Sequence, residues 1–256
     1  MTTPDRRRAR FAAWTLALLL PAAIACAQPD DVATGGDSVV LLHGLGRTAA
    51  AMNPLAEQLR AAGFETHNLD YPSTDHTPAE LVAWLDDALT SCCEHTQGAL
   101  HFVTHSLGGI LVRAQLEAKR PSQLGRVVLI APPNHGSEIV DNLAGNALFE
   151  AALGPTGSAL GTGPDSFPNR IGPPDYEVGV IAGSESISPV GAVLLPDQND
   201  GTVSVESTRL EGAADFILVK ANHTFIMQDT EVAEQVIHFL RNGRFDHSPN
   251  RTAPSR

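Results

Sequence analysis

One serine lies where an apolar run changes into a helical pattern. Ser106 follows the strand-like run 99–103 and precedes Leu107, Gly108 and Gly109. A serine at such a corner exposes its hydroxyl, but a hydroxyl is a weak nucleophile unless a base removes its proton. Chemistry at Ser106 therefore requires a histidine, a carboxylate that orients the histidine, and N–H donors for a developing oxyanion.

Asp200 and His223 are the candidates for the carboxylate and the base. Asp200 follows a strand-like run after a loop, and Gly201 behind it permits the tight turn that aims a carboxylate back at a site. His223 comes directly after the last strand-like run and before the final helical pattern. Asp197 and Asp215 are rival acids, although Asp215 begins a strand and so falls at the wrong end.

Backbone donors are expected in the segment 42–46, directly after the first strand-like run. The N–H groups of Leu45 and Leu107 are the candidates for the oxyanion hole. Gly44 and Gly46 let the backbone approach closely. His43 is expected to hold this loop by hydrogen bonds.

Four residues are the candidates for the wall of the substrate pocket. They are His43, Gly44, His105 and His135. His105 flanks the serine on the side away from the acid. His135 follows a strand-like run but precedes the acid in the chain, which favours a place in the wall over a role as the base.

Alternating strands and helices must position these residues. Strand-like runs lie at 38–42, 65–69, 99–103, 126–130, 177–181 and 216–219, and helical patterns lie at 49–62, 78–89, 110–119 and 230–240. Thr77 before Pro78 is typical of a helix start. This alternation predicts an α/β fold with a mostly parallel sheet of about six strands and helices on both faces. Sites in such sheets lie at the carboxyl ends of strands, where the candidates fall.

The order of these segments resembles the α/β-hydrolase superfamily, in particular small bacterial lipases and esterases. The family's elbow pattern is G-x-S-x-G. Here Gly108 fits the pattern and Thr104 departs from it, so we expect the backbone to open slightly around the threonine. The resemblance covers roughly Val39 to Phe245. It implies the α/β-hydrolase fold with a minimal or small lid, and hydrolysis of carboxylic esters through an acyl-enzyme.

The resemblance also implies roles for three residues. Ser106 attacks the ester carbonyl, His223 carries the proton and Asp200 fixes the histidine tautomer, in the chain order Ser, Asp, His. Such a triad needs neither cofactor nor metal. Two alternatives stay open: an acyltransferase or thioesterase with the same triad, and a non-catalytic binding module, which only Thr104 favours.

The segment 141–175 breaks the alternation. It begins as a helix through Phe149 and then becomes rich in Gly, Pro, Ser and Thr, which predicts either a functional lid or a solvated loop. Leu45, Leu107, Leu143, Leu148 and Phe149 suggest an apolar acyl pocket. The expected partner is a small-molecule or lipid ester.

Length and charge limit the class of protein. The 256 residues suffice for one domain, expected at 28–256, and the net charge is −12. An acidic surface repels phosphate backbones, which excludes nucleic acid as the expected partner. The oligomeric state stays open.

The first 27 residues are typical of a secretory signal peptide. Arg6, Arg7, Arg8 and Arg10 precede an apolar run, and an A-x-A-like site ends at Ala27. The expected location is the periplasm or the medium. A second route is a lipoprotein signal that ends before Cys26, whose lipid would attach the chain to a membrane. Without it, membrane association is limited to a lipid interface.

Cys92 and Cys93 are neighbours in the sequence. A disulfide between neighbours closes a small strained ring, so two thiols and one vicinal disulfide are both open. His95 makes a metal cluster conceivable, but no second ligand pair accompanies it and zinc takes about four ligands. We therefore expect no metal.

Overall fold

Six parallel strands form the sheet in a computed structural model that describes Met1 and residues 36–94, 96–196 and 198–248. The expected signal peptide, His95 and Asp197 lie outside the described residues. The strand order is β2-β1-β3-β4-β5-β6, and every pairing is parallel. The strands are β1 (Ser38–Leu42), β2 (Glu65–Leu69), β3 (Leu100–His105), β4 (Leu124–Ile130), β5 (Val178–Gly183) and β6 (Asp215–Val219). The α/β fold predicted from the alternation is confirmed.

Eight α-helices accompany the sheet in the described part of the chain. They are α1 (Asn53–Ala61), α2 (Pro78–Cys93), α3 (Leu107–Ala118), α4 (Glu138–Leu143), α5 (Ala147–Ser158), α6 (Pro189–Leu194), α7 (Val205–Thr208) and α8 (Thr230–Asn242). Short 3₁₀ turns lie at Ala49–Met52, Pro168–Arg170 and Ile226–Gln228. None of the helices described is long and apolar enough to cross a membrane.

Successive side chains of the inner strands enter two cores. In β1, Val39 and Leu41 pack into the core beneath α1 and α8, whereas Val40 and Leu42 pack into the core beneath α2 and α3. Burial of each such side chain contributes about 1.5–3 kcal/mol. Helices therefore cover both faces, and the loops at the strand ends remain free to carry functional groups.

Helix α2 is longer than the pattern in the sequence predicts. Helix α2 begins at the predicted Thr77 cap, where Thr77 and Glu80 cap each other, but it continues four residues past Leu89 to include both cysteines. Cys92 and Cys93 are joined in a disulfide at its end.

The loop predicted after Phe149 is wrong in its first part. Helix α5 runs through Pro155 to Ser158, because Gly154 adopts a non-helical conformation with φ 67° and lets the chain restart. The glycine and proline that suggest a loop therefore mark a kink between two helical pieces.

Candidate active site

Ser106 forms the corner between β3 and α3. Its backbone has φ 53° and ψ −122°, a conformation that costs a non-glycine residue on the order of 1–3 kcal/mol. The Ser106 N–H donates to the carbonyl of Ile130 in β4 at 2.9 Å, which ties the corner to the neighbouring strand. The serine predicted at a strand-to-helix corner does lie at one.

Gly108 and Gly109 make room around this corner. A Cβ on Gly108 would lie 2.8 Å from the carbonyl oxygen of His43, so the helix start can approach the end of β1 only with glycine there. A Cβ on Gly109 would lie 3.2 Å from Oγ1 of Thr104. The threonine is fully buried, and its pairing with Leu42 and Leu129 stays in register. Strand pairing therefore continues through Thr104, and Gly109 leaves space beside its side chain.

Ser106, His223 and Asp200 form one chain of hydrogen bonds. Nε2 of His223 lies 3.1 Å from Oγ of Ser106, and Nδ1 of His223 lies 2.7 Å from Oδ2 of Asp200. Because a carboxylate only accepts, Nδ1–H donates to Asp200 and leaves Nε2 to accept from the serine hydroxyl. The serine and the histidine keep 8% and 9% of their surface exposed, so a small group can reach them.

Backbone N–H groups hold the Asp200 carboxylate in place. Thr202 and Val203 donate to Oδ1 at 3.0 and 2.8 Å, which leaves Oδ2 for His223. The N–H of His223 also donates to the carbonyl of Asp200 at 2.9 Å. Gly201 has φ 98°, the conformation that the turn requires. The acid and the base are therefore joined through both side chain and backbone.

His105 supports His223 from the other side. Its Nε2 donates to the carbonyl oxygen of His223 at 3.1 Å, and the two ring centroids lie 4.7 Å apart. Burial and the neighbouring His223 hold the pKa of His105 well below its ordinary value, so this ring is neutral. With only 2% of its surface exposed, His105 is placed to position His223 and not to contact a substrate.

The loop after β1 lies directly above the serine. A Cβ on Gly44 would lie 3.1 Å from Cβ of Ser106. The N–H groups of Gly46 and Arg47 donate to Ser73 Oγ and to the Gly44 carbonyl. Within the described residues, no acceptor takes the N–H of Leu45. Leu107 is the first residue of α3, where a backbone N–H has no intrahelical acceptor.

His43 and Tyr71 hold this loop from below. Their rings stack with centroids 4.2 Å apart, and the Tyr71 hydroxyl donates to the His43 carbonyl at 2.7 Å. Burial lowers the pKa of His43, so its ring is neutral; Nδ1–H donates to the Gly44 carbonyl, and Nε2 accepts from the Tyr71 N–H. His43 is fully buried. It therefore holds the loop, and its proposed contact with a substrate finds no support in this structure.

His135 lies on the surface beyond β4. Its Nδ1 is 3.1 Å from Oδ1 of Asn169, and its N–H donates to the carbonyl of Ser207. The next residues reach the acid loop, where the Ser137 hydroxyl donates to the carbonyl of Thr202 at 2.9 Å. The segment after β4 therefore supports the loop that carries Asp200.

Helices α4 and α5 connect the loop that carries Asp200 to the loop after β1. At one end, the Ser204 hydroxyl donates to Glu138 at 2.8 Å. At the other end, the Thr156 hydroxyl donates to the carbonyl of His76, and Gly157 lies against the side chain of Leu45. Leu148 between them is 86% exposed. Of the suggested apolar lining, Leu107 is fully buried in the core, so only its backbone can face the site.

The rival acid Asp215 lies at the amino edge of the sheet. It accepts from His247 at 3.0 Å and from the N–H of Phe245 at 2.7 Å. Ser106 follows the carboxyl end of β3, so these groups are at the opposite edge.

The sequence prediction missed Tyr71 and Ser73 as supports of the loop after β1. Both follow β2 directly, so the rule that strand ends carry functional groups applies to them as well. Their partner loop follows β1, the neighbouring strand in the sheet. Predicting this contact would have required knowing which strands are neighbours in the sheet.

A parallel six-stranded sheet with a strained serine corner after an inner strand defines a protein of the α/β-hydrolase class. The family model described as "Alpha/beta hydrolase family" matches residues 39–235, and the chain belongs to this family. No curated protein sequence matches the chain.

Solved structures of bacterial and metagenomic proteins share the fold. The mature lipase BlEst2 of Bacillus licheniformis superposes with a TM-score of 0.64 at 22% identity, over 79% of this chain and 89% of that chain. A metagenomic carboxyl esterase gives 0.61 at 19% identity, over 82% and 71%. The phospholipase PlaB of Legionella pneumophila gives 0.58 at 17% identity, over 80% and 57%.

Proposed function

We propose that the protein is a serine hydrolase that cleaves carboxylic esters through an acyl-enzyme. The observation that carries this proposal is the continuous hydrogen-bonded chain from Ser106 through His223 to Asp200, at 3.1 and 2.7 Å. It lies at the carboxyl edge of a parallel sheet, beneath a loop with a free N–H donor.

Acylation begins when Oγ of Ser106 attacks the ester carbonyl carbon. His223 Nε2 takes the hydroxyl proton, and the resulting imidazolium is stabilised by the Asp200 carboxylate. The N–H groups of Leu45 and Leu107 donate to the oxyanion of the tetrahedral intermediate. A single donor of this kind contributes about 2.7–4 kcal/mol to transition-state stabilisation.

Breakdown of the intermediate releases the alcohol. The carbon–oxygen bond of the leaving group breaks as His223 returns its proton to the alkoxide oxygen, and Ser106 retains the acyl group. Water then attacks the acyl-enzyme with His223 as the base, and the acid is released.

Apolar esters are the substrates we propose. Phe225 follows His223 by two residues and is 51% exposed, and Leu148 in α5 and Val193 in α6 are also exposed. The similar structures, a lipase, a carboxyl esterase and a phospholipase by name, support the same class.

Transfer of the acyl group to another acceptor is the alternative, as in an acyltransferase or a thioesterase. Both use the same acyl-enzyme and differ in the acceptor or in the bond cleaved. The ratio of acid to new ester, measured in water with added alcohol, separates hydrolysis from transfer. A thioester and its oxygen ester of equal chain length, compared by kcat/KM, test the second alternative.

A fluorophosphonate probe and a series of p-nitrophenyl esters test the proposal. Wild type is expected to label at Ser106 and to hydrolyse the esters, while Ser106→Ala loses all labelling and on the order of 10⁶ in kcat. Ser122→Ala is the control, because Ser122 is exposed and outside the site. A folded wild type that neither labels nor hydrolyses would overturn the proposal and favour a binding module.

Export is a second proposal, and it rests on the sequence of residues 1–27 alone. Cleavage after Ala27 gives a chain that begins with Gln28, whereas lipoprotein processing gives a chain that begins with a lipidated Cys26. Mass spectrometry of the N-terminal peptide from the native host distinguishes these two products. An unprocessed Met1 would contradict both.

A further inference from the structure

A second cluster of reactive side chains lies outside the proposed active site. It consists of Cys92 and Cys93 at the end of α2 and His67 in β2, an edge strand of the sheet. The two sulfur atoms and a ring nitrogen of His67 lie within 4.8 Å of one another. Cys93 is 1% exposed, while His67 and Cys92 are half-buried. The ester chemistry uses none of them.

The cluster has the ligand chemistry of a zinc site. Zinc in proteins prefers thiolate sulfur at about 2.3 Å and imidazole nitrogen at about 2.0–2.1 Å, in tetrahedral geometry. Two thiolates on one tetrahedral zinc are about 3.8 Å apart, so the sulfur atoms of Cys92 and Cys93 must move apart once their disulfide is reduced. Both cysteines are consecutive residues on one helix end, and His67 arrives from another element, so the three groups converge without a change of fold.

Acidic groups surround the same place. A cavity of about 300 Å³ is lined by Glu65, His67, Cys92 and Glu94, among others. The carboxylate of Glu65 lies 3.8 Å from Nε2 of His67. Glu65 and Glu94 line this cavity, and their negative charge favours a divalent cation there. The cavity also gives the ion a path from solvent.

The disulfide determines when the cluster can bind. In the oxidised form, each sulfur is bonded to the other and offers no thiolate. A dithiol reductant transfers two electrons and two protons to the Cys92–Cys93 bond, which gives two thiols and the disulfide of the reductant. Zn²⁺ then displaces both thiol protons to solvent as it binds.

We propose that Cys92, Cys93 and His67 form a redox-controlled binding site for a thiophilic divalent cation, and that this cation is zinc. The reduced pair binds the ion and the oxidised pair excludes it. The bound ion ties the end of α2 to β2, so it stabilises the reduced protein against unfolding. This site is independent of the chemistry at Ser106.

Cobalt is the probe for the first experiment, because thiolate ligation of Co²⁺ produces a charge-transfer absorption that other ligands do not. The purified protein is reduced with a phosphine, freed of reductant without air, and titrated with Co²⁺. We expect one equivalent to bind with this absorption and Zn²⁺ to displace it. The oxidised protein is expected to show neither. Absence of the band in the reduced protein would overturn the proposal, as would equal binding by the oxidised protein.

Three variants test the ligands, with circular dichroism as the check on folding. Cys92→Ser is expected to abolish the charge-transfer band. His67→Ala is expected to weaken zinc binding by at least about tenfold. Loss of a residue that only hydrogen-bonds to a metal ligand already weakens binding by about this much, so loss of a ligand should weaken it at least as far. His76→Ala is the matched control, since His76 also lies near a glutamate, Glu80, but away from the cysteines. Unchanged affinity in folded His67→Ala would overturn the three-ligand site even if Cys92→Ser fails to fold.

Discussion

The two edges of the sheet carry similar side chains and differ in what surrounds them. At the carboxyl edge, His223 and Asp200 pair at 2.7 Å. At the amino edge, His247 and Asp215 pair at 3.0 Å, and His101 lies 3.6 Å from Asp37. A histidine–aspartate pair is therefore not by itself a site.

Three features separate the carboxyl edge from the amino edge. The strained Ser106 corner carries the hydroxyl that we propose as the nucleophile, the loop after β1 has an N–H donor, and backbone donors orient the Asp200 carboxylate. The amino edge instead offers a cavity of about 690 Å³, lined by Asp37, His101 and Arg126 among others. Convergent donors, and not cavity size or paired charges, distinguish the edge at which we propose the chemistry.

The largest difference is expected from removing the acid at each edge. Asp200→Asn is expected to lower kcat by about 10⁴. The amide oxygen would stay with the N–H groups of Thr202 and Val203, so the amide NH2 would face Nδ1 of His223 and favour the wrong histidine tautomer. Asp215→Asn keeps an acceptor for the N–H of Phe245 and is expected to leave kcat at the wild-type level. Steady-state hydrolysis of a p-nitrophenyl ester measures both. Equal losses in the two variants would contradict the assignment of the acid.

The two tyrosines of the chain give the next comparison. Tyr71→Phe leaves the buried carbonyl of His43 without its donor, which is expected to cost about 1–3 kcal/mol of unfolding free energy. The loop after β1, which carries the proposed oxyanion donor Leu45, also loses its hydrogen bond to the Tyr71 hydroxyl, so kcat should fall while KM changes little. Tyr176→Phe, beside the amino-edge cavity, is the control and should keep full kcat. Urea denaturation and ester kinetics measure the two effects. An unchanged kcat in Tyr71→Phe would contradict a role of Tyr71 in positioning the loop after β1.

The amino edge is expected to affect the pH dependence of stability. Burial lowers the pKa of His101 below its ordinary value of about 6.5, partly opposed by Asp37. Between the lowered and the ordinary pKa the unfolded chain binds the proton and the folded chain does not, so stability rises with pH there. His101→Gln should therefore lose less stability than wild type as the pH falls from about 8 to 5, with neutral-pH activity retained. Parallel urea midpoints across this range would contradict the expectation.

The smallest effect on stability is expected from a substitution of Thr104, two residues before Ser106. Oγ1 of Thr104 is buried without a hydrogen-bond partner, so Thr104→Val removes an unsatisfied group of nearly the same shape. We expect unfolding free energy to stay equal or to rise by about 1 kcal/mol, with activity retained. Chemical denaturation measures the change. A loss above about 2 kcal/mol would instead indicate a bound partner for this hydroxyl.

Residue patterns predicted much of the fold and the placement of the candidate site. All six strands overlap the strand-like runs in the sequence, and parallel strands bring their ends to one edge, which places Asp200 and His223 near Ser106. Contacts between loops were not predictable from these patterns. The role of Tyr71 depends on β2 and β1 being neighbours, and the space for Thr104 comes from Gly109, five residues later.

The helix after Gly154 was missed for a local reason. Gly-Pro is a loop signal in most contexts, but here the glycine takes a positive φ and the proline begins a new helical turn. The same pair of residues can end a helix or restart one, and the tertiary contact with the 74–76 segment decides.

The peptide group of His223 is held on both sides. Its N–H binds the carbonyl of Asp200, and its carbonyl accepts from the His105 ring. An imidazole mounted on a backbone fixed in this way already has its reactive orientation before a substrate arrives, so little conformational entropy is lost on the way to the transition state. The activation entropy of the reaction should accordingly be small in magnitude, and the barrier should be mainly enthalpic.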